Sequence, residues 1–286
     1  MAAVEATPRN MLRVPSNYRD LHKRFLQILM NRRMVSYEDA FRLFCKMYQS
    51  EEPDEEEATA GPCPKDMELA VSIINKVIKG LNMEIRCAQD EITPAKYYLL
   101  VNTVDSHISR TFSKFSAAEL EFFKTVLSEI VTSEDGCISS TACLNLNSSL
   151  PGNMTKSDTE ALLEKFCKYQ WLYQKDGKVH LTILSIVELE PLILSAYEDY
   201  VNICRLCKRI VMQGYRCDRC LALLHLHCVH LYTKGVDRIH SCPVCSADQP
   251  EMLAAVKNIP FHSGDDNRIP SASSRENKTG KGSARK

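Results

Sequence analysis

Seven of the chain's thirteen cysteines fall between Cys204 and Cys245, with four of its eight histidines among them. The order is Cys204-x2-Cys207-x9-Cys217-x2-Cys220-x4-His225-x2-Cys228-x13-Cys242-x2-Cys245. A two-residue gap lets one loop or one helical turn present two ligands to the same ion. Four such pairs supply eight ligands, enough for two tetrahedral zinc sites. In cross-brace order Cys204, Cys207, His225 and Cys228 would hold one zinc, and Cys217, Cys220, Cys242 and Cys245 the other. A fold of some 42 residues has too little apolar core to stand alone, so the metal must supply much of its folding free energy.

His225 is the favoured fifth ligand because it alone keeps the two-residue gap to Cys228. His227 is adjacent to Cys228 and bites poorly, and His230 gives a different spacing. These two and His240 are expected at the surface or just behind the ligands. The local cations, among them Arg205, Lys208, Arg209, Arg216, Arg219, Lys234 and Arg238, suggest a nucleic-acid patch. The stronger reading is charge balance, since seven thiolates and two dications sum to −3. The other six cysteines are scattered and read as small core or surface residues.

Seven cysteines with a histidine fifth resemble both a variant RING and a PHD finger. A PHD finger places an aromatic two residues before its seventh ligand, where this chain has His240, and a methyl-lysine cage needs aromatics of which only Tyr215 and Tyr232 are near. A RING that engages a ubiquitin-conjugating enzyme shows an apolar residue just before its second ligand and a proline after its seventh; Leu206 and Pro243 occupy those places. Against this, the basic residue common beside the eighth ligand is missing, with Ser246 and Ala247 there instead.

What must position this module comes before it in the chain. At 286 residues and 32.4 kDa, with 44% apolar and 25% charged residues, the prior is two or three folded domains. Ser16 is expected to cap a helix through Leu21, Phe25, Ile28 and Leu29. Ser36 with Asp39 starts a second through Phe41, Phe44 and Met47. The run Glu51 to Glu57 reads as a solvated loop. A third helix fits Lys65 to Lys79, followed by a hairpin in which Met83, Ile85 and Cys87 alternate and Tyr97 to Val101 returns. The order recurs: a capping box at Ser116 and Glu119, a short helix near Ala142 to Asn147, a helix from Ser157, then a hairpin turning at Asp176-Gly177 with Trp171 as core. Three helices and a hairpin, twice, predict tandem winged helices. A helix from Ile186 to Tyr200, interrupted at Pro191, leads into the cysteines.

The fold class expected is therefore α+β: a flexible N-terminus (1–15), winged-helix domains at 16–104 and 105–200, a two-zinc cross-brace finger at 201–248, and a flexible basic tail (249–286). The longest apolar candidate, Leu181 to Leu194, carries Glu188 and Glu190, and the opening residues lack an apolar signal core, so a soluble intracellular protein is expected. Thirty-six cations match thirty-six anions, with +5 in residues 1–50, −6 in 51–57, −4 in 58–267 and +5 in 268–286. The folded middle has no basic footprint. The third helices carry mixed charge, so protein docking is favoured over base reading, and any DNA contact is expected mainly through a complex.

The segment His22 to Met30, the Phe122-Phe123-Lys124 and Ser139-Ser140-Thr141 segments, and the cysteine cluster directly after the second winged helix together resemble one family, over about residues 18 to 250. It is the non-structural maintenance of chromosomes element 1 family, the variant-RING subunits of the SMC five–six complex. The resemblance implies a RING-type ubiquitin ligase subunit without a catalytic nucleophile of its own. It also implies pairing with a MAGE-family subunit and a kleisin, and work on chromosomes in the nucleus in DNA repair and recombination. Two rivals stay open: a structural subunit with a weak zinc module, and a PHD-like chromatin-binding module.

Overall fold

The computed structural model describes residues 15–50, 61–103, 114–146, 154–234, 241–257 and 259. The acidic run at 51–57, most of the basic tail, the N-terminus expected to be flexible and His240 lie outside the described residues.

The first unit contains α1 (Asp20–Arg32), β1 (Met34–Ser36), α2 (Tyr37–Gln49), α3 (Pro64–Ile78), β2 (Met83–Gln89) and β3 (Lys96–Asn102). Its antiparallel sheet has the order β1-β3-β2. The three-residue β1 pairs Met34 with Leu99; it is too short to show a period of two in the sequence. Phe25, Leu29, Phe44, Met67, Ile74, Tyr98 and Leu100 form the core. The Ser36 hydroxyl accepts the Asp39 N–H at 3.1 Å, as expected for the cap of α2. Ser16, by contrast, does not cap α1. That helix starts four residues later, where the Arg19 N–H donates to Nδ1 of His22 at 3.0 Å.

The second unit repeats the order with α4 (Ala117–Thr132), β4 (Ile138–Ser139), α5 (Ser140–Asn145), α6 (Lys156–Lys168), β5 (Leu172–Lys175) and β6 (Lys178–Leu181), its sheet ordered β4-β6-β5. Ser116 and Glu119 close their capping box. Asp176 and Gly177 both take positive φ, 51° and 73°, as a type I′ turn requires. Helix α6 begins earlier than Ser157, because Thr155 and Asp158 form the box there. Trp171 is buried against Phe123.

Helix α7 (Ile183–Ala196) runs straight through Pro191, which does not interrupt it. One side, Ile183, Leu184 and Val187, is buried on Leu99 and Val101 of β3; Ile186, Leu189 and Ile193 enter the second unit's core. Each buried aliphatic side chain contributes roughly 1.5–3 kcal/mol, so six outweigh the ~3 kcal/mol cost of an internal proline. The helix thus holds the two units together. Arg33 adds to this joint: its guanidinium bonds Glu188 and lies 4.6 Å from the centroid of Trp171.

The cysteine-rich module contains β7 (Tyr215–Arg216), β8 (Leu223–Leu224) and α8 (Leu226–Lys234). The expectation of a flexible tail from residue 249 fails for its first residues. They form α9 (Pro250–Lys257), whose Met252 and Val256 are buried with Val211, Leu224 and Val229. The sparse core of the module needs those two side chains. No described helix is long and apolar enough to cross a membrane.

Candidate metal centres

Three of the four ligand pairs sit on the same backbone device. The carbonyl of Cys204 accepts the Lys208 N–H at 2.8 Å, and the Cys204 N–H donates to Arg209 at 2.9 Å. Cys217 does the same with Leu221 (2.8 Å) and Ala222 (3.0 Å), and Cys242 with Ser246 (2.9 Å) and Ala247 (2.8 Å). The fifth residue of each turn, Lys208, Leu221 and Ser246, is left-handed at φ 63°, 59° and 58°. Such residues are uncommon outside glycine, and each costs on the order of 1–2 kcal/mol that the turn must repay. The fourth pair uses a helix instead. The Val229 N–H donates to the His225 carbonyl at 3.0 Å, so His225 and Cys228 fall on one face at the start of α8.

Cys204, Cys207, His225 and Cys228 bring one ligand atom each within 4.8 Å of one another, and Cys217, Cys220, Cys242 and Cys245 do likewise. These are the two interleaved sets that the spacing predicts. In the second set Cys217 Sγ is 3.8 Å from Cys245 Sγ, and Cys220 Sγ is 3.8 Å from Cys242 Sγ. A tetrahedron with Zn–S bonds of about 2.3 Å requires roughly that separation, whereas a disulfide needs about 2.05 Å. In the first set His225 Nδ1 is 3.3 Å from Cys207 Sγ and 3.8 Å from Cys228 Sγ. The ring therefore presents Nδ1 to the cluster, and Nε2 faces the Ile210 carbonyl at 2.9 Å. Burial pushes the Cys217 thiol up, but N–H groups of Cys220 and Arg219 bring it down to about 7, which favours the thiolate a metal needs. The donor set, its spacing and its geometry fit two zinc ions.

His227 sits just behind the ligands, as expected: it is half-buried and stacked on His225 with ring centroids 4.8 Å apart, and desolvation, then the neighbouring His225, pushes its pKa down to about 4. His230 lies on α8 outside both sets. Leu206 is half-buried against the module's core and Pro243 is half-buried beside Cys242. Tyr215 donates its hydroxyl to Gln249 at 2.6 Å, and Tyr232 packs against the core.

The module is seated on both units. Ile210 and Met212 belong to the second unit's core, Arg216 donates to the Glu134 carbonyl at 2.8 Å, and Gln213 Nε2 reaches His180 Nδ1 at 2.6 Å. From the first unit, Glu91 accepts the N–H groups of Met212 (2.9 Å) and Gln213 (3.0 Å). Glu190 of α7 faces Arg209 at 3.6 Å and Arg86 at 4.0 Å. Sequence reasoning missed Glu91, Arg33 and Glu188, since none has a spacing that marks a partner over a hundred residues away.

Residues 22–189 match the model of the family described as "Nse1 non-SMC component of SMC5-6 complex", and residues 204–245 match the RING-like domain. The chain belongs to the Nse1 family. A mouse relative, non-structural maintenance of chromosomes element 1 homolog, is 34% identical over 84% of this chain and 87% of its own length. The human homolog is 34% identical over 83% and 86%, and that of Drosophila melanogaster 26% over 77% and 92%. A solved chain titled "Nse1-Nse3-Nse4 complex" superposes with a TM-score of 0.69 at 28% identity, covering 81% of this chain and 97% of that one. The Nse1 match spans both α+β units and half of α7, and the RING-like match spans every one of the eight ligand positions.

Proposed function

We propose that this chain is the RING-type ubiquitin ligase subunit of an SMC5-6 complex, acting on chromosomes in the nucleus in DNA repair and recombination. The reading rests on one observation: a RING-like module with two sets of zinc-fitting ligands is docked on units that match Nse1. Cys204, Cys207, His225 and Cys228 hold one zinc and Cys217, Cys220, Cys242 and Cys245 the other; the metal supplies folding free energy, not reaction chemistry. The two units have the winged-helix order and dock an Nse3-like MAGE subunit and an Nse4-like kleisin, the companions named with the similar structure. The exposed face of α3, with Lys65, Asp66, Glu68, Leu69 and Lys76, mixes both signs and suits a protein better than a phosphate backbone.

Catalysis needs no nucleophile from this chain. A ubiquitin thioester rides on the conjugating enzyme, and the module holds enzyme and ubiquitin in a reactive geometry. Leu206 and Pro243 are the proposed contacts. In the complex with its two partners, Leu206→Ala lowers ubiquitin discharge at least several-fold at an unchanged two zinc per chain, since an interface anchor is commonly worth about 2 kcal/mol. Equal discharge rates would favour the second reading, a structural subunit, which draws support from the module's firm seating on both units. A PHD-like reader is less well supported, because Tyr215 and Tyr232 are engaged within the module.

A further inference from the structure

Glu91 lies at the tip of the β2–β3 hairpin, outside the zinc module in sequence by more than a hundred residues, yet it is buried at 6% exposure. Both carboxylate oxygens are used. Oε1 accepts the Met212 N–H and Oε2 the Gln213 N–H, and Oε1 is also 3.4 Å from His225 Nε2. The same ring nitrogen is 2.9 Å from the carbonyl of Ile210. Residues 210 to 213 are therefore held by the hairpin of the first unit on one side and carry the orientation of His225 on the other. Among the described residues no group of the first unit reaches the second ligand set; Arg216, beside Cys217, donates instead to the Glu134 carbonyl of the second unit. The described contacts of Cys217, Cys220, Cys242 and Cys245 are with one another and with backbone of the module itself.

A carboxylate or carbonyl on the far nitrogen of a ligand histidine fixes its tautomer and ring plane, and its removal typically costs 10- to 100-fold in metal affinity. We propose that Glu91 is a positioning residue for the first zinc site, supplied by the first unit, so that retention of this one zinc depends on the module being docked. The two zinc ions are then unequal. The first is released when the module lifts from the hairpin, and the second is indifferent to it. A carboxylate beside a cluster of three thiolates and one dication, net −1, is tolerated because two backbone N–H groups donate to it and the His225 ring nitrogen lies 3.4 Å away.

The inference rests on the zinc reading above, and the two fail separately: a wild-type chain with fewer than two zinc ions defeats that reading, whereas the following comparison presupposes both. Full-length, zinc-loaded protein is mixed with a chromogenic chelator, and release of each equivalent is timed. Cobalt-substituted protein assigns the fast equivalent, since a site of three sulfurs and one nitrogen absorbs differently from a site of four sulfurs. Glu91→Ala should release the equivalent held by the His225 set about ten times faster and leave the equivalent held by the all-cysteine set within twofold. Amide exchange at Met212 and Gln213 should rise in step. Glu91→Gln, which keeps one acceptor oxygen, should fall between. Glu190→Gln loosens Arg86 and Arg209 at the same junction without touching residues 210 to 213, and should leave release unchanged. Unchanged release in Glu91→Ala, equal acceleration of both equivalents, or the same acceleration in Glu190→Gln would overturn the proposal.

Discussion

Replacing Arg33 by methionine tests what joins the two α+β units. Methionine keeps much of the apolar stem and bears the same penalty at the left-handed backbone position, φ 60°, so the change isolates the guanidinium. That group contributes in two ways. It neutralises Glu188, a carboxylate only 4% exposed, and it lies over Trp171. Breaking a buried ion pair costs about 3–5 kcal/mol, but Arg33 is 30% exposed and the pair is partly screened, which brings the figure nearer 2 kcal/mol. The cation–π contact adds roughly 0.5–1 kcal/mol. Denaturant unfolding at pH 7 should therefore show a loss of about 2–3 kcal/mol, and Arg33→Met with Glu188→Leu should recover much of it. The pH dependence gives a second check. Burial already raises the Glu188 carboxyl above its ordinary 4.5, and Arg33 opposes that rise. A carboxyl raised in the folded state favours the protonated fold, so the single variant should lose most at neutral pH and regain stability as pH falls toward 4.5. A pH-independent loss, or a coupling energy below about 0.5 kcal/mol in the double-mutant cycle, would refute the argument.

Gly214→Ala should dismantle the zinc module, because its Cβ would lie 2.1 Å from the backbone oxygen of Leu224, immediately before His225, and backbone cannot rotate away. Zinc content should drop below two per chain with a lower Tm; a variant with two zinc ions and the wild-type Tm would contradict this. His180 is held neutral, chiefly by burial and then by Lys178 and Lys175, so its pKa is depressed below 6.5 and its neutral Nδ1 can accept from Gln213. Its contribution is complete above pH 6.5 and is lost as pH falls through the folded value. The Tm of His180→Gln should consequently decline less steeply than wild type between pH 7 and 5.5, measured by calorimetry, and parallel declines would exclude the role.

The legible parts of this chain are those whose signal is local. Cys-x2-Cys pairs carry their own turn, because the carbonyl of the first cysteine closes it within five residues; spacing alone thus yields both ligand sets. Capping boxes and the Asp176-Gly177 turn are equally self-contained, and they mark α4 and the second hairpin correctly. The start of α6 is missed by one residue because Thr155 and Ser157 both precede an acid at capping distance, and only the structure chooses between them. Pro191 misleads for a different reason. Its helix-breaking cost is a local quantity, and the burial of α7 between two cores that overrides it is not. The short strands β1 and β4 exist only because β3 and β6 offer an edge, and helix α9 stays ordered because Met252 completes a core that the module cannot fill itself. Glu91 is the extreme case. Within its own hairpin it follows Asp90, whose carboxylate caps the Ile92 and Thr93 amides and gives a complete local account of the turn. What Glu91 does is decided by residues 210 to 213, reached only after the two units and α7 have assembled. The residues that contain the metal chemistry can be read from spacing, whereas those that set its rigidity are products of docking, and they follow from the order in which the fold must be built.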